Sequence, residues 1–164
     1  MNSGQIIISG KLTESGANTY TQDQIDLQLN VLDREVFVVT AVDLNSTAPE
    51  IQTTGVDVEV KSCLSTTSRT AMGDISNSNV LGALRMEGQG HAGGFYIGFQ
   101  SQSLETPPAL MEYVGIIATN NFFAAVQGVN NNNPMVLDYR VYGYRAIASA
   151  DTYAALTQSE LLSA

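Results

Sequence analysis

Alternation with a period of two runs through most of the chain. Ile25, Leu27, Leu29 and Val31 fall on one side of an extended backbone, with Asp26, Gln28 and Asn30 on the other. That is the pattern of a half-buried strand. From Glu35 to Leu44, Val36, Val38, Thr40 and Val42 oppose Phe37, Val39 and Ala41, so this run reads as a strand covered on both sides. Val56, Val58 and Val60 alternate with Asp57, Glu59 and Lys61. The same reasoning predicts strands over Gln5 to Leu12, Val80 to Met86, Gly94 to Gln100, Tyr113 to Thr119, Phe122 to Gln127 and Val136 to Ala146, eight or nine in all. Val, Ile, Phe and Tyr dominate these runs, the residues that fit a pleated, half-buried surface.

The breaks between runs have local causes. Gly16-Ala17-Asn18 opens a turn, Asn45-Ser46-Thr47-Ala48-Pro49 stops a strand, and Pro107-Pro108 forbids helix or ladder. Asn130 to Asn133, followed by Pro134, forms a polar tip between two apolar runs. Asparagine tolerates left-handed backbone and bonds its own turn, so a hairpin or a longer loop is expected there. Two stretches could be helical. Thr152 to Leu162 contains Ala154, Ala155, Leu156, Leu161 and Leu162 without a breaker, with Asp151 as the expected N-cap. Asn77 to Leu84 is weaker because of Gly82. The pattern is otherwise all-β, and short strands with turn signals at modest intervals argue for a sandwich, a jelly roll or a barrel, of which eight or nine strands with long intervening loops favour two packed antiparallel sheets. The sandwich is expected over residues 1–150 and a helical arm over 151–164.

Composition narrows the function. With 164 residues and 44% apolar content the chain can build a core, and a single Cys63 excludes an internal disulfide and a cysteine-built zinc site. Charged residues are only 14%, against about 25% in an ordinary soluble domain. Sixteen acids face seven bases, for a net charge of -9. Lys11, Lys61, Arg34, Arg69, Arg85, Arg140 and Arg145 are scattered. Phosphate neutralisation supplies most nucleic-acid affinity, so direct nucleic-acid binding is not expected. Ser, Thr, Asn, Gln and Gly take the place of the missing charge. Such a skin can be covered by neighbouring subunits, since interface cores are depleted in Lys and Glu. It equally suits a protein that simply wears a neutral polar coat.

Candidate chemistry is thin. Gly88-Gln89-Gly90-His91-Ala92-Gly93 has the spacing of a dinucleotide fingerprint, but the following residues alternate like a strand and no helix opens behind it. A flexible glycine turn is the better reading. His91, the sole histidine, sits in that turn, where nothing fixes the orientation that general-base work needs. Asp23 with Asp26, or Asp33 with Glu35, could meet at a sheet rim as an acid/base couple or a calcium site. No calcium-loop signature accompanies them, and they read as solvated acids at strand ends. Asn45-Ser46-Thr47 fits a glycosylation acceptor, a match that arises often by chance in such a composition. No enzymatic activity and no cofactor is expected.

The densest feature is Tyr139-Arg140-Val141-Tyr142-Gly143-Tyr144-Arg145. In a strand, Arg140, Tyr142 and Tyr144 share one face, while Tyr139, Val141 and Arg145 share the other. Tyrosine and arginine are interface anchors, and arginine is scarce here. Tyr139, Arg140, Tyr142, Tyr144 and Arg145, together with Phe122 and Phe123, are therefore the expected core-to-interface residues.

Several of these segments carry a resemblance. They are the strand Arg34 to Asp43, the run Ile116-Ile117-Ala118-Thr119-Asn120 before Phe122-Phe123, and the closing Tyr139 to Arg145 strand that leads into Asp151-Thr152-Tyr153-Ala154-Ala155-Leu156. In an all-β chain of this length they resemble the small single jelly-roll viral capsid proteins, including those of tailless DNA viruses. The resemblance is one of pattern over nearly the whole chain. It implies eight strands in two four-stranded sheets, assembly into capsomers, residence in the virion and no catalysis. Its implied partners are copies of the chain itself and other virion proteins. Many coats of RNA viruses carry a basic N-terminal arm, and Met1 to Gly10 has no Lys or Arg. A coat built this way would be screened from its genome by another protein or an internal membrane. The alternative function is a carbohydrate-binding or other ligand-binding β-sandwich module, and a hydrolase using His91 or a carboxylate pair is a further rival.

Overall fold

A computed structural model describes residues 3–52, 55–94, 96–103 and 111–162. Nine strands precede one helix: β1 (Ile6–Thr13), β2 (Thr21–Asp26), β3 (Glu35–Ser46), β4 (Val58–Ser65), β5 (Val80–Gly90), β6 (Tyr96–Gln102), β7 (Gly115–Ile117), β8 (Asn121–Val129), β9 (Val136–Ile147) and α1 (Ala150–Leu162). They form a four-stranded sheet in the order β1-β9-β3-β7 and a five-stranded sheet in the order β2-β8-β4-β5-β6. Every pairing is antiparallel. The pairs β1 with β9, β2 with β8, β3 with β7 and β4 with β5 nest first with last, as in one long hairpin rolled into two layers. That winding is the jelly roll. β6 is an extra strand added beside β5.

The core lies between the sheets. Phe37, Val39, Val60, Leu64, Ile117, Phe122, Val126, Leu137 and Val141 are essentially fully buried there. Two glycines make room for aromatic rings. A Cβ on Gly10 would fall 2.3 Å from the Tyr139 hydroxyl, and one on Gly143 would fall 2.3 Å from the Val38 carbonyl oxygen and 2.7 Å from the Phe37 ring. Larger residues at either position would push the strand off its neighbour. Ser46 and Ser62 bond each other at 3.0 Å between the layers, so neither buried hydroxyl is stranded.

Several sequence expectations are corrected here. The strand expected over Ile25 to Val31 ends at Asp26, and the ladder begins earlier, at Thr21. Gln28 takes a left-handed φ of 53°, the Asn120 side chain accepts the Leu29 N–H, and Asn30 caps a short 3-10 turn over Val31–Asp33. Leu27 and Leu29 still reach the core, but Val31 is 55% exposed. In β3 a bulge between Val39 and Ala41 shifts the phase. Val42 and Leu44 then face the core, and Ala41 and Asp43 face outward. Only the first half of the strand is covered on both sides.

Asn77 to Leu84 is not helical, since residues from Val80 onward belong to β5. β5 continues through Gly88 and Gly90, so the glycine-rich turn is confined to residues around His91–Gly94, where the Gly94 N–H bonds the His91 carbonyl at 3.0 Å. The helix is capped by Ser149 rather than Asp151: the Ser149 hydroxyl accepts the Thr152 N–H at 3.2 Å. The asparagine tip is a loop that crosses between the sheets, not a hairpin, because β8 and β9 lie in different layers. The Pro107-Pro108 break and Phe95 lie outside the described residues.

Candidate interface

The outer face of the four-stranded sheet divides into two halves, and β9 runs through both. In the upper half, Val36, Val38 and Ala118 are buried with Ile116, Tyr144, Ala146, Tyr153 and Leu156 packed against them. Tyr153 and Leu156 come from α1, so the C-terminal helix docks on its own sheet. Leu161 and Leu162, two of the apolar residues in the run that predicts the helix, are 69% and 78% exposed. The helix is held at its far end by Glu160, whose side chain is nearly buried. Its two carboxylate oxygens accept the Ala118 N–H at 3.0 Å and the Thr119 N–H at 2.9 Å. Tyr153, Leu156 and Glu160 follow the i, i+3, i+7 spacing of one helical face, and that spacing was the available signal for a residue absent from the sequence-level candidates.

Glu160→Ala removes both acceptors and leaves two N–H groups unpaired beneath the helix, at about 1–3 kcal/mol for a buried donor. The helix should then detach. Hydrogen exchange over residues 150–162 should accelerate while the exchange of β4 and β8 stays unchanged. Unaltered protection of the helix would show that Tyr153 and Leu156 hold it without the carboxylate.

The lower half is open. Cross-strand neighbours there form three rows: Ile7 with Tyr142 and Ala41, Ser9 with Arg140 and Asp43, and Lys11 with Asp138 and Asn45. Arg140 donates to the Tyr142 hydroxyl at 3.4 Å, and that hydroxyl donates to Asp43 at 3.1 Å. The hydrogen bond to Tyr142, and the charge of Asp43, raise the Arg140 guanidinium above its ordinary value. Lys11 pairs with Asp138 at 3.6 Å. Two bases and two acids therefore cancel on this face, although the whole chain carries -9. Ile7, 56% exposed, lies beside Tyr142.

The other expected interface residues are placed differently. Phe122 and Tyr139 belong to the core between the sheets, and Phe123 is buried on the outer side of β8. Burial raises the Tyr139 hydroxyl above its ordinary value, with the charge of Asp23 adding to the shift. Tyr144 is half-buried beside the helix. Arg145 closes the end of the sandwich by donating to the Leu27 carbonyl at 2.7 Å, to the Gln28 carbonyl at 3.2 Å and to Glu35 at 3.3 Å. Of the seven, Arg140 and Tyr142 are the two that the fold presents together on an open surface.

Three of the remaining bases are engaged locally. Lys61 and Arg85 both pair with Glu59. Burial would raise that carboxyl, but the hydrogen bonds and charges of its two partners hold it below its ordinary value. Arg69 is bonded by Asn77, Asn79 and the Ala71 carbonyl. His91 is exposed in its turn. Asp23 and Asp26 lie on opposite faces of β2, since an odd spacing separates them. Asp33 and Glu35 each accept from Asn30. Among the described residues no three His, Cys, Asp or Glu side chains gather as a metal site. No helix there is long and apolar enough to cross a membrane.

No protein-family model matches the chain, and no curated protein is similar to it in sequence. A solved structure of Desmodium yellow mottle tymovirus is similar over 90% of this chain and 91% of that one, at 9% identity and a TM-score of 0.34. The jelly-roll winding rests on the strand pairing itself.

Proposed function

We propose that this chain is a structural shell subunit, a capsid-type jelly-roll protein that assembles with copies of itself in a virion and does no chemistry. The observation that carries the reading is the open half of the β1-β9-β3 face. It carries Tyr142 and Arg140 on its central strand β9 with Ile7 beside Tyr142, and its ionic groups neutralise one another. Covering such a face desolvates no unpaired charge, which is the usual obstacle to burying a charged surface. Tyrosine and arginine at its middle are the side chains that anchor interfaces. In this reading the sandwich over residues 1–150 forms the wall, and the arm over 151–164 seals the upper half of the same face. Other virion proteins, or an internal membrane, would separate the acidic subunit from nucleic acid. The seven bases do not gather into a phosphate-binding track, and six are engaged with neighbouring acids, carbonyls, amides or hydroxyls.

Tyr142→Asp tests the reading. It adds a charge at the centre of the open face, beside Asp43, and touches nothing between the sheets. Assembly into large particles should be lost in sedimentation and negative-stain imaging, while circular dichroism and the thermal midpoint remain those of the wild type. Particles that persist in the variant would show that the face stays in water.

A further inference from the structure

A sheet edge leaves a row of backbone N–H and C=O groups that can template another strand, and proteins blunt such edges with charge, proline, bulges or shortness. Four strands of this sandwich are edges: β1, β7, β2 and β6. β7 has three residues. β2 reads Thr-Gln-Asp-Gln-Ile-Asp, with Asp23 and Asp26 along it, and β1 carries Lys11. β6 reads Tyr-Ile-Gly-Phe-Gln-Ser-Gln over seven residues, with no charge and no proline. Its pairing with β5 runs without a register shift.

The direction of its free groups follows from the ladder. The Ser103 N–H bonds the Ala83 carbonyl at 2.9 Å and the Ala83 N–H bonds the Ser103 hydroxyl at 2.8 Å, so the backbone groups of positions 83 and 103 point at each other. Such pairs alternate along an antiparallel ladder, so Ser101, Phe99 and Ile97 also point their backbone groups toward β5. Gly98, Gln100 and Gln102 point theirs the other way, where no strand pairs with β6 among the described residues. The side chains agree: Ile97 and Phe99, 47% and 50% exposed, share the outer face. A cleft of about 390 Å³ lined by Pro49, Ile51, Met86 and Tyr96 opens on the inner side of the same strand.

We infer that the free edge of β6 pairs, antiparallel, with the same edge of a second copy, joining two five-stranded sheets into one. A second copy fits this edge because the edge is uncharged and a strand pairs antiparallel with itself without complementary charges. Two chains at -9 repel wherever acids meet, and β6 offers each of them seven uncharged residues. Two-fold pairing is self-complementary. It brings Ile97 and Phe99 of both copies onto one apolar strip, and it lets side chains of the added strand enter the cleft. The contact rests on the self-association proposed above but uses a different surface from the Tyr142 face, so the pairs made at β6 would be the building unit and the Tyr142 face would join those units.

Sedimentation velocity on the full chain tests this with two variants. Gln100→Pro removes an outward N–H from each copy and leaves the β5 ladder intact. Phe99→Glu sets an acid beside Glu87 in each copy and so adds like charge to the apolar strip. The wild type should show a dimer as its smallest populated unit at micromolar concentration. Both variants should shift it to monomer with dimer affinity weakened at least about tenfold, with the circular dichroism of the folded chain retained, and lower salt should deepen the effect for Phe99→Glu. A wild-type monomer, or variants that dimerise like the wild type, would overturn the inference. The two readings fail separately. Dimers lost in Gln100→Pro, without particles from the wild type, would retain the β6 contact and remove the shell. Particles whose smallest unit ignores Gln100→Pro would retain the shell and remove the contact.

Discussion

Phe122→Ala should destabilise the folded monomer by about 3–5 kcal/mol, the range for truncating a fully buried aromatic. The ring is 0% exposed and sits in the cluster with Phe37, Ile117 and Leu137. β8, which carries it, is paired on both sides, with β2 at Ile25 and with β4, so the strand cannot shift to fill the void. Urea denaturation monitored by circular dichroism would read the loss as a lowered midpoint at constant slope. The result separates two roles that the sequence alone leaves merged. If Phe122 were a subunit contact, its truncation would weaken assembly and leave the monomer's urea midpoint unchanged. Set beside Tyr142→Asp, which should do the reverse, the pair of variants separates core residues from those of the outer face.

Glu14→Ala should cost about 3 kcal/mol, an effect of similar size from a polar group. Glu14 is only 4% exposed. Its two oxygens accept the Gly128 N–H and the Met135 N–H, each at 2.7 Å, and its own N–H bonds the Met135 carbonyl at 2.9 Å. The end of β1 is thereby tied to both ends of the loop that crosses between β8 and β9. Truncation strands two buried donors, at about 1–3 kcal/mol each, less what water recovers. Glu14→Gln keeps one acceptor and turns an amine toward the other N–H, so it should fall between the wild type and Glu14→Ala. Equal urea midpoints for all three proteins would show that the loop is held by its asparagines alone. Those asparagines do contribute: Asn131 bonds Asn18, the Glu50 N–H and the Glu59 carbonyl, and Glu50 accepts from Asn132 and Asn133. The side-chain hydrogen bond from Asn133 and the backbone bonds of Asn132 and Asn133 hold the Glu50 carboxyl below its ordinary value.

The layering of the fold was legible wherever one face of a strand is wet. β1 and β9 alternate, and the assignment of Arg140, Tyr142 and Tyr144 to one face and Tyr139, Val141 and Arg145 to the other agrees with the burial along β9. The reading failed where backbone geometry breaks the period. The bulge near Thr40 reverses the faces of β3, and the left-handed Gln28 ends β2 inside an unbroken apolar alternation. Neither leaves a mark in the composition of its segment. The polar half of β2, Thr21 to Gln24, was invisible because an edge strand with a wet outer face needs few apolar residues. Glu14, Glu160 and Asp43 were missed for another reason. Each acts through a partner distant in sequence, Met135, Ala118 and Tyr142 respectively, and only the topology brings those partners together.

Copies of this chain should lie against the charge-balanced β1-β9-β3 face and the uncharged β6 edge. Sedimentation velocity of the purified chain from micromolar to millimolar concentration tests it most directly. Concentration-dependent growth into dimers and then regular particles is the expected result, with the folded 17.5 kDa monomer as smallest unit once β6 is altered and no particles once Tyr142 is altered. A single 17.5 kDa species across the whole range would contradict it.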